Sequence, residues 1–442
     1  METGKQGVVK PRYLSRRTFL KSAASALAAT AARAIIPASA LGRNGSVAPS
    51  NRIVMGCIGV GGMGTDDLRG FMGKPEVRIV AVCDVDKGHR DEAKRIVDKG
   101  YGNNDCAAYN DFREITRRGD VDAVCIAAPD HWHVIPAVDA VKHGKDAYVE
   151  KPLTLTIREG RILSDTARRY CRVVQTGSQQ RSDMRFRRAS ELIRNDRLGK
   201  IHTVNVRIPA NNRTCDPTWG PQPVPEGFDY DFWLGQAPWE PYHPQRCHYQ
   251  FRFLFDYSGG QVTNWGAHYL DVAQWSLGMD DSGPVEITGK GEFPTSGLFT
   301  TATNVRFECV YAGGVRLICT TRQDGVFDGT VKFEGAGGWI EVNRDGITSE
   351  PASILREPIG TQEIHLYESR DHQQDFLDCI RTRARPVADV EIGHRSATVC
   401  HLGNIAMFLG RNLHWDPRAE HFINDEEADR MTSRAMRAPW YL

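Results

Sequence analysis

The chain has 442 residues, 40% hydrophobic and 25% charged, the balance of a soluble globule long enough for two domains. A net charge of +1 gives no electrostatic reason to bind nucleic acid or an acidic membrane. The 11 cysteines show no C-x-x-C spacing, which argues against a disulfide framework, and no His/Cys cluster has metal-ligand spacing, so no metal is expected.

Residues 1–40 read as an export signal. Ser15-Arg16-Arg17-Thr18-Phe19-Leu20-Lys21 has the twin-arginine pattern, and an alanine-rich stretch over 22–40 ends in Ala38-Ser39-Ala40, an A-x-A cleavage site. The alternative is a basic amphipathic helix of the mature protein. The stretch is too short and too weakly apolar for a secure membrane span, so the mature protein is expected to carry none. The expected destination is the periplasm or another exported location, reached through the twin-arginine machinery as a folded protein. Residues 41–50 are rich in small and turn-forming residues and read as a linker.

A nucleotide-binding domain is expected over 51–176. An apolar strand at 53–60 runs into Gly59-Val60-Gly61-Gly62-Met63-Gly64, a helix-like stretch follows over 65–72, and a second apolar strand over 77–83 ends at Asp84. This strand–glycine loop–helix–strand order is the dinucleotide-binding fingerprint of a Rossmann fold, a doubly wound parallel sheet. The glycines turn the chain and let a pyrophosphate approach the free N–H groups at the helix N-terminus. Asp84 follows Gly64 by 20 residues, where the ribose-binding carboxylate stands. Its charge would repel a 2′-phosphate, which argues for NAD over NADP. Short buried-type strands at 123–128 and 146–149 deliver Pro129-Asp130-His131-Trp132-His133 and Glu150-Lys151-Pro152 to the same carboxyl edge. Ligands bind there in open α/β sheets.

Those blocks, with Cys83-Asp84-Val85-Asp86 and a later run from Gly259-Gly260-Gln261-Val262-Thr263-Asn264 through Trp265-Gly266-Ala267-His268 to Asp271, resemble the glucose-fructose oxidoreductase/inositol dehydrogenase/rhizopine-catabolism (Gfo/Idh/MocA) family. The resemblance covers nearly everything after residue 50. It implies a C-terminal α+β domain, here 177–442, with a large, mainly antiparallel open sheet whose free face often joins copies into a homo-oligomer. Candidate strands of that domain lie at 201–208, 285–291, 303–310, 315–321, 330–334 and 338–342, and candidate helices at 184–196, 372–382, 394–411 and 426–436.

The chemistry is expected at Lys151. A lysine beside an oxidised nicotinamide loses its proton more readily, and it can then take the proton of a substrate hydroxyl while hydride leaves the same carbon. His268 and Asn264 lie four residues apart on an expected helix over 264–275, hence on one face. The resemblance puts an aspartate where this chain has Asn264, which shifts the proton-handling load to Lys151. The cofactor-binding set is Gly59, Gly61, Gly62, Met63, Gly64, Asp84, Pro129, Asp130, His131, Trp132, His133, Glu150 and Lys151. Between Trp219 and Tyr257 stand 12 aromatics in 39 residues, read as a structured loop with a few rings reaching a sugar. The expected activity is an exported NAD-dependent oxidoreductase moving hydride between a secondary alcohol of a sugar, glycoside or cyclitol and nicotinamide. An NAD-dependent glycoside hydrolase using transient oxidation is the second reading, and a non-catalytic sugar-binding protein the third.

Overall fold

The computed structural model describes residues 47–442 except 212 and 214. The twin-arginine segment lies outside the described residues. Residues 53–442 form one compact unit containing two sheets.

The first sheet has six parallel strands: β1 (Ile53–Ile58), β2 (Val77–Cys83), β3 (Ala107–Tyr109), β4 (Ala123–Ile126), β5 (Asp146–Val149) and β6 (Val174–Thr176). Their order is β3-β2-β1-β4-β5-β6, so the winding reverses between β1 and β4. Helices cover both faces, which is why β4 and β5 are buried at every residue and read as unbroken apolar runs. The helix after the glycine loop spans Gly62–Met72 and starts earlier than expected, because Gly62 and Met63 already form its first turn. β3, only three residues long, left no pattern in the sequence.

The second sheet has nine strands: β7 (Ile201–Ile208), β8 (Glu286–Glu292), β9 (Asn304–Val310), β10 (Arg316–Thr321), β11 (Thr330–Gly335), β12 (Gly338–Val342), β13 (Ile347–Glu350), β14 (Leu413–Asp416) and β15 (His421–Phe422). The order is β13-β12-β11-β7-β10-β9-β8-β14-β15, antiparallel except where β7 and β10 run parallel. β9 alternates buried and exposed residues, as a strand with one covered face must. The long helix Val390–Leu409 lies on the covered face. Asp389 caps its start by accepting from Glu391 N–H, and Gly410 at φ +64° ends it.

Two C-terminal segments return to the first sheet. Helix His372–Thr382 packs Phe376 edge-on to Phe71 and Tyr148, with centroids 6.2 and 5.9 Å away. The expected helix over 426–436 stops at Arg430. Beyond it the chain peels away so that Trp440 can pack edge-on to Trp132 at 4.8 Å, and this apolar contact overrides local helix preference. Among the described residues no helix is long and apolar enough to cross a membrane.

Candidate active site

The glycine loop closes tightly on itself. Gly59 has φ +75°, and a Cβ on Gly64 would stand 1.9 Å from Gly59 O, so neither position admits a side chain. Gly62 faces open space, and at Gly61 the only neighbour of an added Cβ is the His89 ring at 3.7 Å. Their backbone therefore borders a cavity of about 380 Å³, together with Met63, Asp84, Pro129 and Trp132. A bare glycine cradle at a helix N-terminus beside a carboxylate fits a dinucleotide.

Asp84 accepts from Val60 N–H at Oδ2 and from Asp86 N–H at Oδ1, both at 2.9 Å. Burial raises its pKa, opposed by those two bonds and by His89. The other wall is the aromatic segment. Phe228, Phe232, Trp233, Tyr249 and Phe251 line the cavity, so these rings reach the cofactor crevice. An isolated bridge between Asp86 and Phe228 ties the segment to the end of β2. Arg252 lines the same wall, its guanidinium over the Tyr249 and Phe251 rings at 4.7 and 4.6 Å. The sequence reading missed Arg252, although a cation inside an aromatic cluster is a usable signal.

Asp130, His131 and His133 are buried braces outside the cavity lining. Ser258 Oγ donates to Asp130 Oδ2 at 2.5 Å. His131 Nε2 and Trp132 Nε1 both lie on Trp233 O, at 2.9 and 2.8 Å, which fastens the aromatic segment to the first sheet. His133 stands between the carbonyls of Pro152 and Ala128, at 2.7 and 2.8 Å, and so supports the Lys151 loop. Among the described residues, Asp86, His89 and His248 offer ligand atoms within 4.8 Å of one another at the crevice mouth, although Asp86 Oδ1 already accepts from two N–H groups.

Lys151, Asn264 and His268 come together outside the lining of that cavity, where Arg252, which does line it, also acts on Lys151. Lys151 Nζ donates to Asn264 O at 3.2 Å and lies 3.4 Å from its Oδ1. Asn264 Nδ2 donates to Gln261 Oε1 at 3.0 Å, so its amide oxygen is turned to the lysine. The expected single helix is two: Gln261–Asn264 and Gly266–Leu277, parted at Trp265. Burial lowers Lys151 to about 8, against the pull of Glu150, and Arg252 and Arg344 assist the lowering. A carboxylate in place of Asn264 would hold the ammonium charged; the neutral amide positions it without that effect. His268 is held well below its usual value by burial, then by Lys151 and Arg344, and its Nδ1 is buried without a protein partner. Asp271 is committed elsewhere, bonded to Arg181 Nε at 2.8 Å and Ser396 Oγ at 2.6 Å.

A family model described as the oxidoreductase family NAD-binding Rossmann fold matches residues 53–178, and one described as its C-terminal alpha/beta domain matches 214–442. The chain belongs to the Gfo/Idh/MocA oxidoreductase family. Its N-terminal part is the NAD-binding Rossmann domain of that family. A glycosyl hydrolase family 109 protein of Saccharopolyspora erythraea is 34% identical over 192 residues, 39% of this chain and 42% of that protein. An alpha-N-acetylgalactosaminidase of Shewanella oneidensis is 33% identical over 175 residues, 35% of this chain and 37% of that protein. The chain thus matches about two fifths of the length of these curated relatives. The same fold occurs in the WlbA dehydrogenase of Bordetella pertussis, solved with NADH and UDP-GlcNAcA (TM-score 0.61, 15% identity, covering 83% of this chain and 99% of that one). It occurs again in the aldose-aldose oxidoreductase of Caulobacter crescentus (TM-score 0.61, 17% identity, covering 82% and 99%).

Proposed function

We propose that this protein oxidises a secondary alcohol of a sugar, glycoside or cyclitol, with Lys151 as the base. The observation that carries the reading is a buried lysine lowered to about 8, held by a neutral amide and next to an uncharged histidine. NAD, when bound along the glycine loop and Asp84, supplies the two-electron oxidation. Lys151 in its neutral form takes the hydroxyl proton, His268 holds the hydroxyl through a free ring nitrogen, and Asn264 keeps Nζ in place. Mass spectrometry of cofactor released from denatured protein should find NAD, and a sugar screen should produce reduced nicotinamide. NADP alone, or no reduction with any sugar or cyclitol, would count against the reading.

A second reading has support in the relatives named glycosyl hydrolase family 109. There the oxidation would be transient and would end in cleavage of a glycosidic bond. Release of p-nitrophenol from p-nitrophenyl glycosides with no net reduced nicotinamide would favour it.

The same proposal includes export of the folded, NAD-loaded protein, and association of copies through the open face of the second sheet. Replacing Arg16 and Arg17 with lysine should leave a folded precursor in the cytoplasm, checked by fractionation; normal export of that variant would remove the twin-arginine reading. Light scattering on the purified protein tests the association, and a monomer would reject it.

A further inference from the structure

Behind Lys151 lies a group of buried polar side chains that the reading above does not use. Tyr148 and Glu150 are two residues apart at the end of β5 and so face the same side of the sheet. Gln175 is the register partner of Tyr148 on β6. The helices Gly62–Met72 and His372–Thr382 cover this side, bringing Asp67 and Gln373 with them: Gln373 Nε2 donates to Asp67 Oδ1 at 3.4 Å. Asp67 and Glu150 are 1% and 4% exposed. Asp67 Oδ2, Glu150 Oε1 and Gln175 Oε1 are buried with no protein hydrogen-bond partner. Gly177 keeps the space beside Glu150 clear, since a Cβ there would stand 2.1 Å from Oε1. Two buried carboxyl groups with free oxygens and no cation on Asp67 cannot both stay ionised. Sharing a proton, directly or through bridging water, satisfies them.

We infer that Asp67 and Glu150 form a buried carboxyl pair that holds a proton and exchanges it with Lys151, so that the substrate hydroxyl proton passes inward to the pair. The inference rests on the reading of Lys151 as the base. The hydroxyl O–H breaks and an Nζ–H forms. Nζ makes no ion pair with Glu150, whose contact with Lys151 is the backbone N–H, so a bridging water takes a proton from Nζ and gives one to the Glu150 carboxylate, leaving a neutral lysine, a neutral carboxyl group and the water unchanged. Oxidation of the carbon stays with NAD, and the pair carries only the proton. Burial first, and then the charge of Glu150 with the Cys57 thiol nearby, push Asp67 up to about 9, against the Gln373 bond, with Asp66 adding to the rise. Burial pushes Glu150 up to about 7, against Lys151, its N–H and Arg252, while Asp130 adds to the rise. The remaining titratable neighbours are Cys125 on β4, Tyr148 on β5 and His372, which burial lowers to about 4 and keeps neutral. Burial thus shifts Glu150 up and Lys151 down, toward each other, which favours a proton moving either way between them.

Infrared spectroscopy of the protein as purified tests the pair without substrate. At pH 6 the wild type should show the carbonyl band of protonated buried carboxyl groups, lost in two steps near pH 7 and pH 9. Asp67→Asn should remove the upper step, and Glu150→Gln should remove from the lower step the part not carried by Glu159, a second buried carboxyl group that burial raises to about 7. Lys151→Met should move the lower step up by about one pH unit, because the neighbouring cation is gone. The amides are isosteric with the acids; if either fails to fold, Lys151→Met carries the test. Absence of a titrating carboxyl band, or a lower step that Lys151→Met leaves in place, overturns the inference. In turnover, Glu150→Gln should lower kcat about tenfold at pH 7 and change the shape of its pH profile. An unchanged kcat and profile would overturn the transfer to Glu150. A band that titrates as described in a protein that oxidises no sugar would instead sink the dehydrogenase reading.

Discussion

Asp84 and Glu150 occupy equivalent places, each one residue past the carboxyl end of a parallel strand, yet their surroundings differ. Both Asp84 oxygens accept backbone N–H groups at 2.9 Å, and its side chain is 12% exposed at the edge of the crevice. Glu150 has one weak acceptor contact, from Lys151 N–H at 3.2 Å, and its other oxygen is buried without a protein partner. Backbone donors favour the charged form, so two short ones at Asp84 oppose protonation more than the single longer one at Glu150 does. On the proposed reading, one topological position serves ribose binding at the adenosine end of the crevice and proton handling at the reactive end.

The contrast breaks most sharply at Lys151. Lys151→Met should slow turnover by about 10²–10⁴ while NAD affinity, read by fluorescence titration, stays within about twofold. Below pH 8 the wild-type rate should rise with pH, because the base works only when neutral. A variant with near-normal turnover would remove Lys151 from the chemistry. His268→Ala should cost less, about 10–100-fold in kcat, since a neutral histidine holds the hydroxyl without carrying its proton; a larger loss than at Lys151 would reverse the two roles. At the other end, Asp84→Ser should leave kcat with saturating NAD nearly unchanged. It should narrow the NAD-over-NADP preference by about 1.5–3 kcal/mol, roughly 10–100-fold, in paired Kd measurements. A wild-type preference for NADP would refute the ribose role. The smallest effect concerns stability. Asp67 holds its proton in the fold up to about pH 9 but only to its ordinary 3.8 when unfolded. The folded state binds the extra proton across that window, so this group makes stability fall as pH rises from 4 to 9. Asp67→Asn should flatten the slope of Tm against pH, and an unchanged slope would mean Asp67 is ionised in the fold.

The nucleotide-binding half was readable because its signals are local. The glycine loop, Asp84 and the Glu150-Lys151-Pro152 block each sit at a strand end whose apolar run is visible in the chain. The proximity of Lys151 to Asn264 and His268 needed the resemblance, because 113 positions separate Lys151 from Asn264. The roles of the Asp130–His133 loop were only partly legible: the sequence placed it at the crevice but could not tell a lining residue such as Trp132 from a brace such as His131. The aromatic segment was read as a structured loop with a few rings reaching a sugar; five of its rings line the cavity bordered by the glycine loop, and the bridge from Phe228 to Asp86 ties it there. Asp67 gave no signal at all. An aspartate in the helix after a glycine loop reads as a solvent-facing charge, and only the helix His372–Thr382, 305 residues later, encloses it.

That same helix determines when the nucleotide-binding half can be completed during synthesis. Phe71 and Tyr148 have their partner in Phe376, so a ribosome that has released residues 53–176 has made a sheet with one flank still wet. Its final burial waits until nearly the whole polypeptide has emerged. A fragment cut after Thr176 should therefore be prone to aggregate unless a peptide covering 372–382 is supplied.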